Sequence, residues 1–392
     1  MEFTIQEMKE RKVHRLALVL SYLVIVTRGN DIRSINHGET TSDIVTGLKI
    51  NKFIEMDGGD IFDCVDVNLQ PAFNHPLLKD HKIQMEPSTF PIGMDVELPS
   101  PHHTISQAQP PIVSCPRGTV PIRRNNIRNH IASESIDEEI GKDKQHEAVG
   151  IQYRHDDIYG TRAIINVYEP KVKNGSKDLT ASVIKIYNGP GLVEAIVAGY
   201  LVSPELSGDN FARFHVAWDD VIGNKSCYDH TCPGFVQVSH EFGLGGRLRP
   251  VSVYNGPQYF ITVMMFKDPK TKNWWVICCQ ENTPIGYWPS SLFTYIKDKG
   301  ETAFWGGRVS GPTASEDSPP VGSGHFAEEG YGKASFIRHI QIVDKNNKYV
   351  NPDFNKAFPS TSFSGKFTVD GYGVDNYGMH MYYGGPGNLS RQ

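Results

Sequence analysis

From Ile151 onward the chain consists of short apolar runs separated by turn residues: TRAIINVYEP, ASVIKIYN, AIVAGYLVSP, ARFHVAWDD, GFVQVSHEF, QYFITVMMFKDP, NWWVICC and SFIRHIQIV. Apolar residues recurring with a period of two bury one face of a strand, and many such strands at regular spacing need a second sheet to pack on. The pattern predicts an all-β fold, an antiparallel β-sandwich of two packed sheets. The 37 glycines and 25 prolines supply the turns that so many strands require. FKDPKTKNWWV reads as a β-hairpin whose loop contains a proline. Helix is expected only in WPSSLFTYIKDKG, where Pro289 suits a first turn and Gly300 a stop.

The N-terminus is organised differently. Lys9, Arg11, Lys12 and Arg15 precede the apolar stretch Leu16–Thr27, the charge order and length of a signal peptide, assigned to residues 1–29. Thr27 and Gly29 are the small residues nearest a cleavage point, and an uncleaved signal anchor is the alternative. The stretch is short for a membrane span. The expected localisation is secreted, extracellular or vacuolar by the secretory pathway. The formal net charge of −5 is spread without a basic stripe, so nucleic acid is not an expected partner, nor is a membrane beyond the signal or anchor.

Residues 30–47 are polar and read as a flexible segment. Residues 48–130 carry short apolar runs punctuated by proline, a small N-terminal module with a few strands, in which Glu97–Pro111 reads as a loop. Residues 131–150 are dominated by charge and read as an acidic linker and processing region. Residues 151–392 form the main domain.

The six cysteines form an even set in a chain expected to be exported. Cys227 and Cys232 bracket a short loop, and Cys64 with Cys115 is the natural second pair. Vicinal Cys278 and Cys279 alternate to opposite faces of a strand and are expected not to bridge. No second CxxC or spaced histidine pair accompanies them, so neither a metal nor another cofactor is expected. Asn174, Asn224 and Asn388 lie in sequons and become glycosylation acceptors on export. No GxSxG elbow, HExxH helix or P-loop occurs, and Ser323 with His325 in a glycine-rich turn reads as a loop requirement.

Several strings together carry a resemblance. DCVDVNLQPAFNHPLLKDHKIQMEPS and CPRGTVPIRR resemble the activation segment of the plant neprosin-type glutamic (prolyl) peptidase family. CYDHTCPGFVQ, NWWV, GYWPSSLF, WGGRV, GSGHFAEEGYGKASFIR and YYGGPG resemble its peptidase domain, in order from about Leu48 to Gly387. The resemblance implies a signal peptide, an activation peptide folded against the domain, and a β-sandwich that cleaves proline-containing peptides in acid. It also implies two glutamates facing each other across a cleft between the sheets. One carboxylate would activate water while the other, protonated, polarises the amide.

In this chain those two positions fall on Val197, in AIVAGYLVSP, and Phe304, in TAFWGG, and neither side chain can exchange a proton. Glu194 and Glu301 are the candidate substitutes, but an odd offset along a strand points each of them away from residues 197 and 304. Asp219, Asp220 and Glu281 read as solvated carboxylates. Tyr200, Trp218, Tyr287, Trp288 and Trp305 are the candidate groove aromatics, with core packing as their competing role. A bridge expected from the resemblance is missing, because Ile342 stands where a cysteine would and the terminus lacks its partner. The expected function is a non-catalytic relative binding proline-rich or extended peptides. The alternative is an acid endopeptidase using a shifted carboxylate. The expected role of the chain's own propeptide is folding assistance or shielding of the groove.

Overall fold

The computed structural model describes residues 34–35, 50–93, 105–124, 145–220, 225–279, 283–362, 364–376 and 378–388. The signal stretch and most of the flexible segment lie outside them. The main domain is built from two large sheets. A seven-stranded sheet runs in the order Lys225–Tyr228, Arg213–Asp220, Glu194–Val202, Leu179–Asn188, Gly300–Gly311, Gln145–Ile158, Ala357–Thr361, with every pairing antiparallel. A ten-stranded sheet follows the path Val236–Gln237, Pro284–Trp288, Trp274–Cys278, Gln258–Lys267, Gly160–Asn166, Ser335–Val343, Gly378–Gly384, Thr368–Asp375. The first strand begins at Gln145, inside the segment read as linker, and the chain crosses between the sheets at Tyr159.

Alternation does the packing. Ile151, Ile184, Ile186, Ile196 and Trp305 from the smaller sheet meet Ile165, Ile261, Val263, Met265, Val276, Ile337 and Met381 from the larger one in a single buried core. Polar atoms caught in that layer are paired across it. Trp305 Nε1 donates to Thr161 Oγ1 at 2.9 Å, and the Tyr383 hydroxyl donates to Ser182 Oγ at 2.7 Å. Such bonds fix how the sheets face each other, because a buried donor left unmet costs about 1–3 kcal/mol. Ile342 is also buried in this core, so an apolar contact stands where the resemblance implies a bridge.

The expected hairpin is present. Gln258–Lys267 pairs antiparallel with Trp274–Cys278, and Asp268 holds the turn by accepting from Lys270 N and Thr271 N. Two local expectations are corrected. WPSSLFTYIKDKG is not an α-helix but a 3-10 turn at Ser290–Leu292 followed by irregular chain. Its backbone groups are claimed by side chains from neighbouring strands. The Glu194 carboxylate accepts from Thr294 N, Tyr295 N and Ile296 N at 2.8, 2.7 and 2.9 Å, and Trp274 Nε1 donates to the Ile296 carbonyl at 2.9 Å. A helix would need those groups for its own ladder. Cys278 and Cys279 do form a disulfide, because the strand ends at Cys278 and Cys279 turns to a left-handed φ of 69°, which breaks the alternation.

The N-terminal module has a four-stranded sheet, Ser34–Ile35, Ile50–Glu55, Ile61–Asp66, Thr119–Arg123, closed by the Cys64–Cys115 disulfide. Around that bridge Ile54, Phe62 and Val113 form its core. Three 3-10 turns between Val67 and Leu78 follow, two of them with a proline at the first position.

Glu194→Ala would strand three backbone donors beneath a loop. It is expected to destabilise the protein by about 3 kcal/mol, read as a lowered melting temperature at neutral pH.

Candidate functional site

Register decides where the two non-acidic positions lie. Val197 is directly opposite Lys185, and Lys185 is directly opposite Phe304, so the three side chains form one row across adjacent strands. Directly opposed residues share a face. Two strand spacings of about 4.8 Å put the backbones of Val197 and Phe304 about 10 Å apart. Their neighbours Ile196, Ala198, Ala303 and Trp305 point into the core, so the row lies on the outer face of the seven-stranded sheet. The expectation of a cleft between the two sheets is therefore corrected: both positions belong to one sheet and look away from the other. They are buried in a small apolar cluster with Ala181, Val183, Leu201 and Ala217, flanked by Tyr187, Leu206 and Tyr228.

The next row along shows why two motif glycines are needed. Gly306 and Gly199 flank Val183. A Cβ on Gly306 would come within 2.2 Å of the Val149 carbonyl oxygen, and one on Gly199 within 2.3 Å of that of Ser182. Only glycine lets the strands close up beside the Val197–Phe304 row.

Polar groups frame the apolar cluster. Lys185 Nζ donates to Asp219 Oδ2 at 2.7 Å and lies 4.5 Å from the centre of the Tyr187 ring. Ser226 Oγ donates to Asp219 Oδ1 at 2.8 Å, and Arg308 Nη2 donates to the Tyr228 hydroxyl at 2.6 Å. Arg308 and Tyr228 come from strands four places apart in the sheet order, so the sheet must curl for them to meet. Burial alone would raise the Asp219 carboxyl, but Lys185 and then Arg308 outweigh it and bring it down to about 2. Burial alone would likewise lower the Lys185 ammonium, yet Asp219 raises it. Asp219 is thus not the solvated carboxylate expected from the sequence: its side chain is only 14% exposed and ion-paired.

Chemically, this face offers an ionised carboxylate clamped between cations. Two-acid amide hydrolysis needs a second carboxyl group that keeps its proton, and residues 197 and 304 supply none. Among the described residues no group of three or more His, Cys, Asp or Glu is placed to hold a metal ion.

The other sequence candidates are dispersed. Glu194 sits on the core side, bound to the Thr294–Ile296 backbone, and Glu301 is exposed. The five proposed groove aromatics line no groove. Tyr200, Trp218, Trp288 and Trp305 are buried between the sheets, because their strand positions alternate inward. Tyr287 is buried on the outer face of the larger sheet, where its hydroxyl accepts from Gln84 N at 3.0 Å. His325 lies 2.9 Å from Glu329 and stacks on Tyr254, and Ser323 Oγ only accepts from the His325 backbone, so no nucleophile pair forms.

The Cys227–Cys232 disulfide closes the loop after Lys225–Tyr228. Asn174 is exposed and accepts from Asn210, and Asn388 is exposed with its side chain on Asp317. Asn224, Glu281 and the Asp220 side chain lie outside the described residues. Sequence reasoning missed Lys185 and Arg308. The available signal was a lysine at an alternating position in ASVIKIYN, where a strand this apolar carries a charge only with a partner.

The fold and site thus define a two-sheet antiparallel β-sandwich that carries a disulfide-closed N-terminal module and a non-acidic row on its smaller sheet. Residues 176–386 match the Neprosin family, and residues 53–163 match the neprosin activation peptide. The chain belongs to the Neprosin family. Among solved structures it is similar to scytalido-glutamic peptidase bound to a transition-state analogue inhibitor. The identity is 11%, covering 61% of this chain and 98% of that one, with a TM-score of 0.34. It is also similar to SCP-B, a member of the eqolisin family of peptidases in complex with the tripeptide Ala-Ile-His, at 10% identity over 61% and 98% of the chains and a TM-score of 0.32.

The depressed Asp219 carboxyl makes a pH prediction. As pH falls the unfolded chain, with an aspartate near about 3.9, takes up the proton first. The stabilisation, about 2 kcal/mol, is whole above about pH 4 and is lost as pH falls towards 2. Melting curves from pH 7 to pH 2 should show a steeper acid loss for the parent than for Asp219→Asn.

Proposed function

We propose that this chain is an exported, non-hydrolytic member of the Neprosin family that holds extended, proline-rich peptides against the outer face of its seven-stranded sheet. The observation that carries the reading is the Val197–Lys185–Phe304 row. Hydrocarbon occupies both positions where the resemblance implies an acid, with an ammonium between them. Asp219 remains on that face, but its pairing with Lys185 keeps it ionised through the acid range in which a proton-donating partner is needed. What supports binding is the chemistry left there: Tyr187, Leu206 and Tyr228, partly exposed, border the buried apolar cluster. Proline-rich segments are already extended, so docking them costs little ordering entropy. Export rests on the signal-like N-terminus and the exposed sequon at Asn174.

A second reading, an acid endopeptidase with a shifted carboxylate, is favoured by one observation. Asp219, rather than Glu194 or Glu301, is the acid that sits beside Lys185. The two readings separate on incubation of the purified protein with a proline-containing peptide between pH 2 and pH 6. We expect saturable binding without cleavage, and gain of acid cleavage only in the double variant Val197→Glu with Phe304→Glu. Parent cleavage that vanishes in Asp219→Asn establishes the second reading, and absence of saturable binding removes the first.

A further inference from the structure

The activation-peptide match spans residues 53–163 and so runs into the first strands of the main domain. The described module ahead of those strands, residues 50–124, carries a name that implies removal, yet its contacts here are those of a core component. Ala72 and Leu78, with Phe73, Ile83 and Phe90, pack on Val236, Met264, Phe266, Trp275, Ile277 and Tyr287 across the outer face of the ten-stranded sheet. Ile105–Gln107 adds a parallel strand to that same sheet along Gln258–Phe260. Gln70 and Gln237, both fully buried, bond reciprocally: Gln237 N donates to Gln70 Oε1 at 2.7 Å and Gln70 Nε2 to the Gln237 carbonyl at 3.1 Å. Asp60 receives Arg213 Nη1 at 2.8 Å, and Arg213 is buried. The Asp268 carboxylate accepts from Ser88 Oγ at 2.6 Å and Gln84 Nε2 at 2.9 Å.

The domain is also shaped to receive the segment. A Cβ on Gly243 would fall 2.6 Å from the Phe62 ring, and one on Gly246 would fall 2.7 Å from Pro111. Removing the segment would bare Trp275, Tyr287, Phe266 and Met264 together, an apolar patch that soluble proteins seldom leave open. The described residues of 50–124 contribute none of the apolar side chains clustered around Val197 and Phe304, and reach that face only at its edge, through Asp60 on Arg213.

We infer that residues 50–124 are a permanent subunit: cutting the chain between residues 125 and 144 yields two fragments that stay together as a non-covalent pair. The attachment is non-covalent because all six cysteines bridge within their own part, Cys64 to Cys115 in the segment and Cys227 to Cys232 and Cys278 to Cys279 in the domain. The Cys64–Cys115 bridge keeps the segment's shape after the cut. The docking surface is the outer face of the ten-stranded sheet, and its occupant is this segment itself. The inference does not depend on whether the outer face of the other sheet binds peptides.

The test uses the full chain with a recognition sequence for a site-specific protease placed within residues 131–144. After complete digestion, size-exclusion chromatography at neutral pH without reductant should show both fragments co-eluting at the mass of the uncut protein, with an unchanged melting temperature. Separate elution with the 145–392 fragment soluble, monomeric and rich in β-structure overturns the inference. Leu78→Asp, placed in the same cleavable chain, weakens the apolar contact directly. Once cut, it should release a large fragment that aggregates or binds a hydrophobic dye several-fold more strongly. A released fragment that stays soluble and dye-free also overturns the inference.

Discussion

The register of Gly300–Gly311 between Leu179–Asn188 and Gln145–Ile158 governs both the core and the candidate site. It places Trp305 inward, where its indole bonds to Thr161 of the opposing sheet, and therefore places Phe304 outward beside Lys185. A slip of one residue would send Phe304 into the core and Trp305 to the outer face, and both layers would fail at once. The close approach at Gly306 locks the same register, since any side chain there would strike the backbone of the neighbouring strand. Position 304 is thus fixed by packing whatever residue occupies it.

Because the backbone geometry is set independently, apolar residues at positions 197 and 304 fit the sheet without strain on its register. Valine and phenylalanine bury well on a partly apolar face, and Lys185 is held by Asp219 and the Tyr187 ring. A buried lysine without a partner would lose its charge or cost several kcal/mol. The ion pair therefore explains how a cation persists at the centre of an apolar row. Arg308 is placed by the same logic, reaching the Tyr228 hydroxyl across a curled sheet. The charges on that face are thus paired with one another beside the apolar cluster.

The N-terminal module gives this arrangement a second layer. Its apolar turns cover the larger sheet, and its strand extends that sheet, while the candidate site lies on the smaller sheet. The contacts around Gly243, Gln237 and Asp268 make it a structural partner of the domain.

Alternation along the strands, the Cys64–Cys115 and Cys227–Cys232 pairs, the Asp268 hairpin and the apolar identity of residues 197 and 304 were all legible in the sequence, because each depends on local spacing or on residue type alone. Which residues meet was not. The helix expected over WPSSLFTYIKDKG is absent because Glu194, far away in the chain, takes its backbone donors. Cys278 and Cys279 bridge because the strand stops between them, and the groove aromatics turned out to be core because inward and outward faces are assigned only when two sheets pack. Lys185 and Asp219 find each other only across a strand between them. Sequence fixes the period of burial and the chemistry each position can carry. Tertiary structure decides which face is buried and which charges are neighbours, since those follow from long-range strand pairing and sheet curvature that no local window contains.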